Sequence, residues 1–212
     1  FSTQWPYVVG LMNNSAPGPY AFCTAAVVAP RWVLTAAHCV DEGVTAGGIG
    51  VSLGSPILGG AESRRVGVKA ILIHPWYNPN MYRADVALLE LNEDAGVIPA
   101  KLTSQPVVVG EVLRGAGFGT TEFGTPSDQL RTATHVSSNL AGLANNWHFL
   151  VSSPSSSVCY GDSGGPSVNT RGEVAGVSSF TLSNCAVPSR DIGVADVYGL
   201  RGWIREVVFG PQ

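Results

Sequence analysis

Charge is scarce in this 212-residue chain: Asp, Glu, Lys and Arg make up 13% of it, and the formal net charge is -3. No basic surface therefore recommends nucleic acid or acidic lipid as the main ligand. Long hydrophobic runs are missing too, and none approaches the roughly 20 residues of a membrane span. Phe1 leads directly into a folded-looking segment with no charged, apolar and small-residue leader, so a mature, soluble protein is expected. None of His74, His135 and His148 stands at metal-ligand spacing from another His, Cys or carboxylate, and all three are expected to be structural or surface residues. The segment 54–65 offers one carboxylate, Glu62, too few for an oxygen cage around calcium. Cysteine is limited to four residues, which permit three disulfide pairings, with buried free thiols as the alternative.

What is present is apolar residue in short pieces. Hydrophobic residues reach 45%, ample for a core, while 26 glycines and 14 prolines sit singly or in short turns. Apolar or alternating stretches fall at 7–11, 25–28, 32–35, 66–73, 86–91, 107–115, 132–136, 147–151, 165–168, 173–179 and 193–197, an all-β pattern. A helical rhythm appears near the end, where Leu200, Trp203, Ile204, Val207 and Val208 precede Gly210 and Pro211. A break at 99–106 divides the strands into two similar sets, predicting lobes over 1–105 and 106–212, each of a usual domain size. The serine-rich run 152–157 reads as a loop. Asn13-Asn14-Ser15 matches an N-glycosylation acceptor, a triplet that also arises often by chance.

Three motifs carry chemistry. Gly161-Asp162-Ser163-Gly164-Gly165-Pro166 places a serine in a glycine-rich loop where backbone N–H groups can converge on a developing oxyanion. Thr35-Ala36-Ala37-His38-Cys39 supplies an imidazole, and Arg83-Ala84-Asp85-Val86-Ala87-Leu88-Leu89 a carboxylate. Serine needs a base to take its proton, and histidine titrates in the useful range. Asp85 would accept the other imidazole N–H, fix the tautomer and stabilise the imidazolium. Gly161 and Ser163 are the expected N–H donors. His38 and Asp85 fall in the first strand set and Ser163 in the second, so a working site must lie between the lobes. Singly, His38 reads equally as a buried structural histidine and Asp85 as a turn cap; the ordered set of three favours catalysis.

With Trp5-Pro6-Tyr7, His74-Pro75-Trp76-Tyr77-Asn78, Gly117-Phe118-Gly119 and Gly202-Trp203-Ile204 added in order, the chain resembles the chymotrypsin/trypsin-like serine proteases over nearly its whole length. The resemblance implies two packed six-stranded antiparallel β-barrels with a C-terminal α-helix. It implies a secreted endopeptidase acting through an acyl-enzyme on protein or peptide substrates, with protein inhibitors as further partners, no cofactor, and a monomeric state. It prefers the pairings Cys23 with Cys39 and Cys159 with Cys185, each flanking a catalytic segment and requiring an oxidising compartment. It also implies that Ser179 contacts Asp85 and that Ser179, Phe180 and Thr181 pair with substrate backbone.

The same resemblance puts Ser157 on the floor of the primary specificity pocket, where a trypsin-like preference would need an aspartate. Thr181 stands where many relatives have a wall glycine. An ungapped match places Ile192 on the opposite wall, giving a pocket for small or medium apolar side chains; a one-residue slip places Gly193 there and admits larger ones. Asp191 would restore a basic preference if its loop shifted. Relatives carry an Ile-Val-Gly-Gly-like segment before the match to Trp5-Pro6-Tyr7, and its freed amino group pairs with the aspartate matching Asp162. Phe1 begins after that segment. A detached or unresolved start and a truncated or zymogen-like form are the favoured explanations, another way of holding Asp162 the third. A catalytically silent binding or regulatory protein on the same scaffold is the alternative function.

Overall fold

Residues 5–16, 18–121, 123–140, 144, 146–152, 156–182, 185 and 192–210 are described in the computed structural model. Strands β1 Val8–Asn13, β2 Cys23–Ala29, β3 Trp32–Thr35, β4 Ile49–Leu53, β5 Arg64–Ile73 and β6 Ala87–Leu91 close into an antiparallel barrel. Its order is β1-β2-β3-β6-β5-β4, with β1 also pairing β4. After the short β7 Lys101–Leu102 come β8 Val112–Gly117, β9 Arg131–Asn139, β10 Trp147–Ser152, β11 Pro166–Asn169, β12 Glu173–Thr181 and β13 Ile192–Asp196. These last six form a second antiparallel ring, closed because β11 pairs with both β8 and β12. β7 lies parallel against β12 and so belongs to the second sheet by hydrogen bonding.

Alternating or continuous apolar residues explain which strands were visible beforehand. β10 alternates half-buried and buried residues along its length, the period-2 signature of a strand with one face inward. β4 is buried on both faces; its run of glycine and serine hides the pattern, and it was not anticipated. The two-residue β7 was likewise missed. The helix α1 Val197–Phe209 buries Val197, Leu200 and Ile204 and is capped by Asp196, whose carboxylate accepts the N–H groups of Tyr198 and Gly199. No helix among the described residues is long and apolar enough to cross a membrane.

One apolar cluster runs through both lobes, joining Val9, Val27, Leu34 and Leu89 to Phe118, Val174, Ala195 and Leu200. A smaller cluster of Val107, Leu113, Leu150, Ala175, Ile192 and Val194 fills the second barrel. Cys23 is bonded to Cys39 and Cys159 to Cys185, and such bonds persist in an oxidising compartment.

The second barrel has polar side chains in its interior. His135 and His148 are both buried, and neither ring finds a hydrogen-bond partner among the described residues. Burial holds the pKa of each down at about 4. Below the ordinary value of 6.5 the unfolded chain takes up protons that the folded chain refuses, so stability is lost as pH falls from 6.5 toward 4. In His148→Leu that loss should shrink by about 2 kcal/mol between pH 7.5 and pH 5. Urea unfolding at the two pH values measures it; an unchanged pH dependence would contradict the account.

Candidate active site

Asp85 sits just before β6, on a turn tightened by the hydrogen bond from Val86 N–H to the Ala84 carbonyl. Its carboxylate is 2% exposed. Oδ1 accepts the His38 backbone N–H at 2.9 Å, while Oδ2 accepts His38 Nδ1–H at 2.7 Å and the Ser179 hydroxyl at 2.5 Å. His38 belongs to the 3-10 turn Ala37–Cys39 that follows β3. With Nδ1 committed to Asp85, the lone pair is left on Nε2, and the side chain keeps 35% of its exposure. Burial works against the imidazolium, but the hydrogen bond and charge of Asp85, with Asp41 adding, raise the His38 pKa above its ordinary value. Asp41 is itself held by the Tyr77 hydroxyl at 2.7 Å.

Ser163 arrives from the other lobe. Its carbonyl accepts the Thr24 N–H of β2 at 2.8 Å. The Cys39 sulfur lies 3.8 Å from that carbonyl and 4.0 Å from His38 Nε2. The structure therefore joins His38 to Asp85 directly and sets the Ser163 backbone beside them. The Ser163 hydroxyl makes no hydrogen bond to Nε2 among the described residues. Catalytic contacts of this kind are often open in unliganded proteins and tighten on substrate. Cys23, His38 and Cys39 also bring ligand-type atoms together, but the sulfurs are spent in the disulfide and offer no thiolate.

The loop around Ser163 is clamped at several points. Thr24 Oγ1 donates to the Gly161 carbonyl at 2.8 Å and accepts the Phe118 N–H at 3.0 Å, and Thr35 Oγ1 donates to the Thr24 carbonyl. Gly164 N–H and the Gly165 carbonyl both bond Ser178 of β12. Gly161 has a φ of +97°, a conformation that a side chain would resist. The N–H groups of Gly161 and Ser163 find no acceptor among the described residues, whereas those of Asp162, Gly164 and Gly165 do. Asp162 turns inward and occupies space that a Cβ on Gly117 or Gly119 would take. Its oxygens accept the N–H groups of Gly119 and Cys159, each at 2.9 Å. Burial pushes its pKa up to about 6, although those bonds and the charge of Arg131 pull downward.

Ser157 lines a cavity of about 380 Å³ with Asp162, Ser178 and Cys185. Thr181 pairs across the sheet with Ile192, and Phe180 with Gly193. Ile192 is buried in the second barrel's apolar cluster, and neither it nor Gly193 lines the cavity. The Phe180 ring lies over Gly193 and stacks on Tyr82 at 3.9 Å between centroids, with Trp147 and Phe149 meeting it edge-on. Beyond Val177, where β11 ends its pairing, β12 has no strand along that edge among the described residues. Asp191 and residues 153–155 of the serine-rich run lie outside the described residues.

Several contributors escaped sequence reasoning. Thr24 carries no signal in a uniformly apolar strand, and the Tyr77–Asp41 and Tyr82–Phe180 contacts join segments far apart in the chain. Tyr77 stood in a recognised motif, which identified its place but not its partner.

A buried carboxylate orienting an imidazole beside a serine loop, in the cleft of two barrels, defines a serine hydrolase type of site. The family model described as Trypsin matches residues 1–204. The chain is 32% identical to Serine protease SP24D of Anopheles gambiae, over 95% of this chain and 76% of the relative. It is 31% identical to human Kallikrein-7, over 96% of this chain and 82% of that protein. Chymotrypsin-like elastase family member 1 of Felis catus is 30% identical over 96% and 85% of the respective chains. Among solved structures, neuropsin, a serine protease expressed in mouse brain, superposes with a TM-score of 0.83 at 25% identity, covering 97% of this chain and 95% of its own. The chain belongs to the trypsin family and is a serine endopeptidase by that membership.

Replacing Thr24 by Val keeps the shape but strands the Gly161 carbonyl and the Phe118 N–H. The expected loss is about 1–3 kcal/mol of stability, measured by chemical denaturation. A variant as stable as the parent would show that the clamp carries no energy.

Proposed function

We propose that this protein is secreted and hydrolyses peptide bonds through an acyl-enzyme formed on Ser163. The observation that carries the reading is the His38–Asp85–Ser179 network, which leaves Nε2 as the free base beside the Ser163 loop. Rotation of the serine side chain brings its hydroxyl to Nε2. As Ser163 Oγ bonds to the substrate carbonyl carbon, its proton passes to His38, and His38 then gives that proton to the leaving amine as the C–N bond breaks. Water repeats the sequence and releases the acid. The N–H groups of Gly161 and Ser163 hold the oxyanion, a donor worth about 2.7–4 kcal/mol each in comparable sites. The open edge of β12 at Ser179, Phe180 and Thr181 suits an extended peptide adding as a strand.

Small or medium apolar side chains are the proposed specificity. Ser157 supplies no charge for Arg or Lys, which supports the apolar reading, while Ile192 packs into the barrel's apolar cluster and adds no wall to the cavity. A peptide-library profile dominated by Arg or Lys would refute this. A second reading, a zymogen-like resting form, is favoured by Asp162 lying inward on Gly119 and Cys159 rather than on a cation, and by the unmade bond between Ser163 and His38.

Treatment with a peptidyl phosphonate should modify Ser163, and His38→Ala should abolish the reaction. The losses from Ser163→Ala and His38→Ala should be far from additive, because the two residues act as one unit. Since the base must be neutral, kcat/KM should rise with pH through the His38 pKa, above the ordinary imidazole value. Asp41→Asn should lower that midpoint. Absence of labelling at every pH would remove the catalytic reading in favour of a silent scaffold.

A further inference from the structure

The first lobe reaches across the cleft at a second place, the loop 78–83 before Asp85. Asn78 pairs with Arg83 to close this loop, and the 3-10 turn Pro79–Met81 fills it. Tyr82 has a φ of +50°, a conformation that residues with side chains adopt rarely and keep where the surroundings hold it. Two contacts from the second lobe supply that hold. The Trp147 indole N–H donates to the Met81 carbonyl at 3.2 Å. The Phe180 ring stacks on Tyr82 at 3.9 Å between centroids and 22° between planes. Phe180 reaches this position because its partner across the strand pair is Gly193, where a Cβ would collide with the ring. The same ring meets Trp147 and Phe149 edge-on, at 5.4 and 5.9 Å, a favoured geometry for aromatic pairs. Trp147 thus touches both sides of the stack: the loop that carries Tyr82 and the ring on which Tyr82 lies.

A peptide laid along the free edge of β12 turns alternate side chains to opposite faces. In the proposed function the residue at the cleaved bond sends its side chain to the cavity of Ser157, which none of Tyr82, Trp147, Phe149 and Phe180 lines. Its neighbour on the amino side turns the other way, toward the Tyr82–Phe180 stack. We propose that Trp147 is a positioning residue: by fastening the 78–83 loop across the cleft it holds Tyr82 as a lid on Phe180, and the lid restricts the substrate residue preceding the cleaved one to small side chains. Tyr82 keeps 41% of its exposure, so its ring is the surface that an arriving side chain meets. Trp147 acts through the loop and has no part in proton transfer. The proposal rests on the serine endopeptidase reading of the same cleft and extends its specificity by one residue.

Two measurements on the whole chain test it. The Tyr82 ring resonances, observed by NMR with 13C-labelled tyrosine and assigned with Tyr82→Leu, should lie upfield under the Phe180 ring current. They should move toward their free-peptide positions in Trp147→Phe, which keeps an aromatic ring and loses the N–H donor. The second measurement compares two peptides that differ only in Ala or Leu before the cleaved residue. Selection for Ala over Leu in kcat/KM should fall about tenfold in Trp147→Ala, mainly through KM for the Leu peptide, and by a smaller factor in Trp147→Phe. Tyr82→Ala should give the same relief, and adding Trp147→Ala to it should give nothing further. A structural role alone would slow both peptides equally and leave the selection intact. An unmoved Tyr82 resonance, an unchanged selection, or further relief by Trp147→Ala once Tyr82 is gone overturns the proposal. A wild type that cleaves neither peptide, while its Tyr82 resonance still moves in Trp147→Phe, overturns the endopeptidase reading and the selectivity step but leaves the fastening of the loop standing.

Discussion

The carboxylate of Asp85 is the charge around which this molecule is organised. Placing it at 2% exposure carries a desolvation penalty that attraction to a single partner would barely offset. The penalty is met by three donors: two come from His38 in the first barrel and one from Ser179 in the second. The interaction that orients the imidazole is therefore also one that joins the lobes. Separating the barrels would take the Ser179 hydroxyl from the anion, so the setting of the imidazole and interlobe docking are coupled.

Around that anion the first barrel acts as a template for the second. Thr24 and Thr35 are polar residues buried inside an apolar barrel, and each directs its hydroxyl to a carbonyl near the junction. Together with the Thr24 N–H bond to the Ser163 carbonyl, they fix the Ser163 loop by its backbone. In the proposed mechanism the Ser163 hydroxyl turns to His38 from this fixed main chain, the positioning that a nucleophile requires.

The fold was legible in the sequence wherever a strand carries an alternating or continuous apolar run, including the fully buried β2 and β13. β3 and β10 announce themselves by content or alternation, and α1 by its apolar rhythm. β4 did not, because Gly50 and Ser52 carry little strand propensity and interrupt its apolar residues. The site was legible in its chemical groups, since His38, Asp85 and Ser163 each sit in a distinctive local motif. The contacts that support them were not: the bond between Thr24 and Gly161 spans 137 positions, and nothing local in either residue points to the other. The expectation that His135 and His148 would be structural or surface residues found the buried option, with consequences for acid stability that spacing alone does not reveal.

The two buried carboxylates of the site differ in a way that separates their tasks. Asp85 meets an imidazole and a hydroxyl side chain, whereas Asp162 meets two backbone N–H groups among the described residues and is pushed up to about 6. A carboxyl group titrating there binds protons in the folded state that the unfolded chain has already released, so its contribution to stability falls as pH rises from about 4 to 6. Ionised Asp162 is thus disfavoured by its burial at neutral pH. A segment holding such a charge responds to whatever cation reaches it, because a modest gain in pairing energy is large against the small difference between loop arrangements. Asp85 holds the His38 ring in a fixed orientation, whereas Asp162 places beside Ser163 a buried charge held by backbone N–H groups.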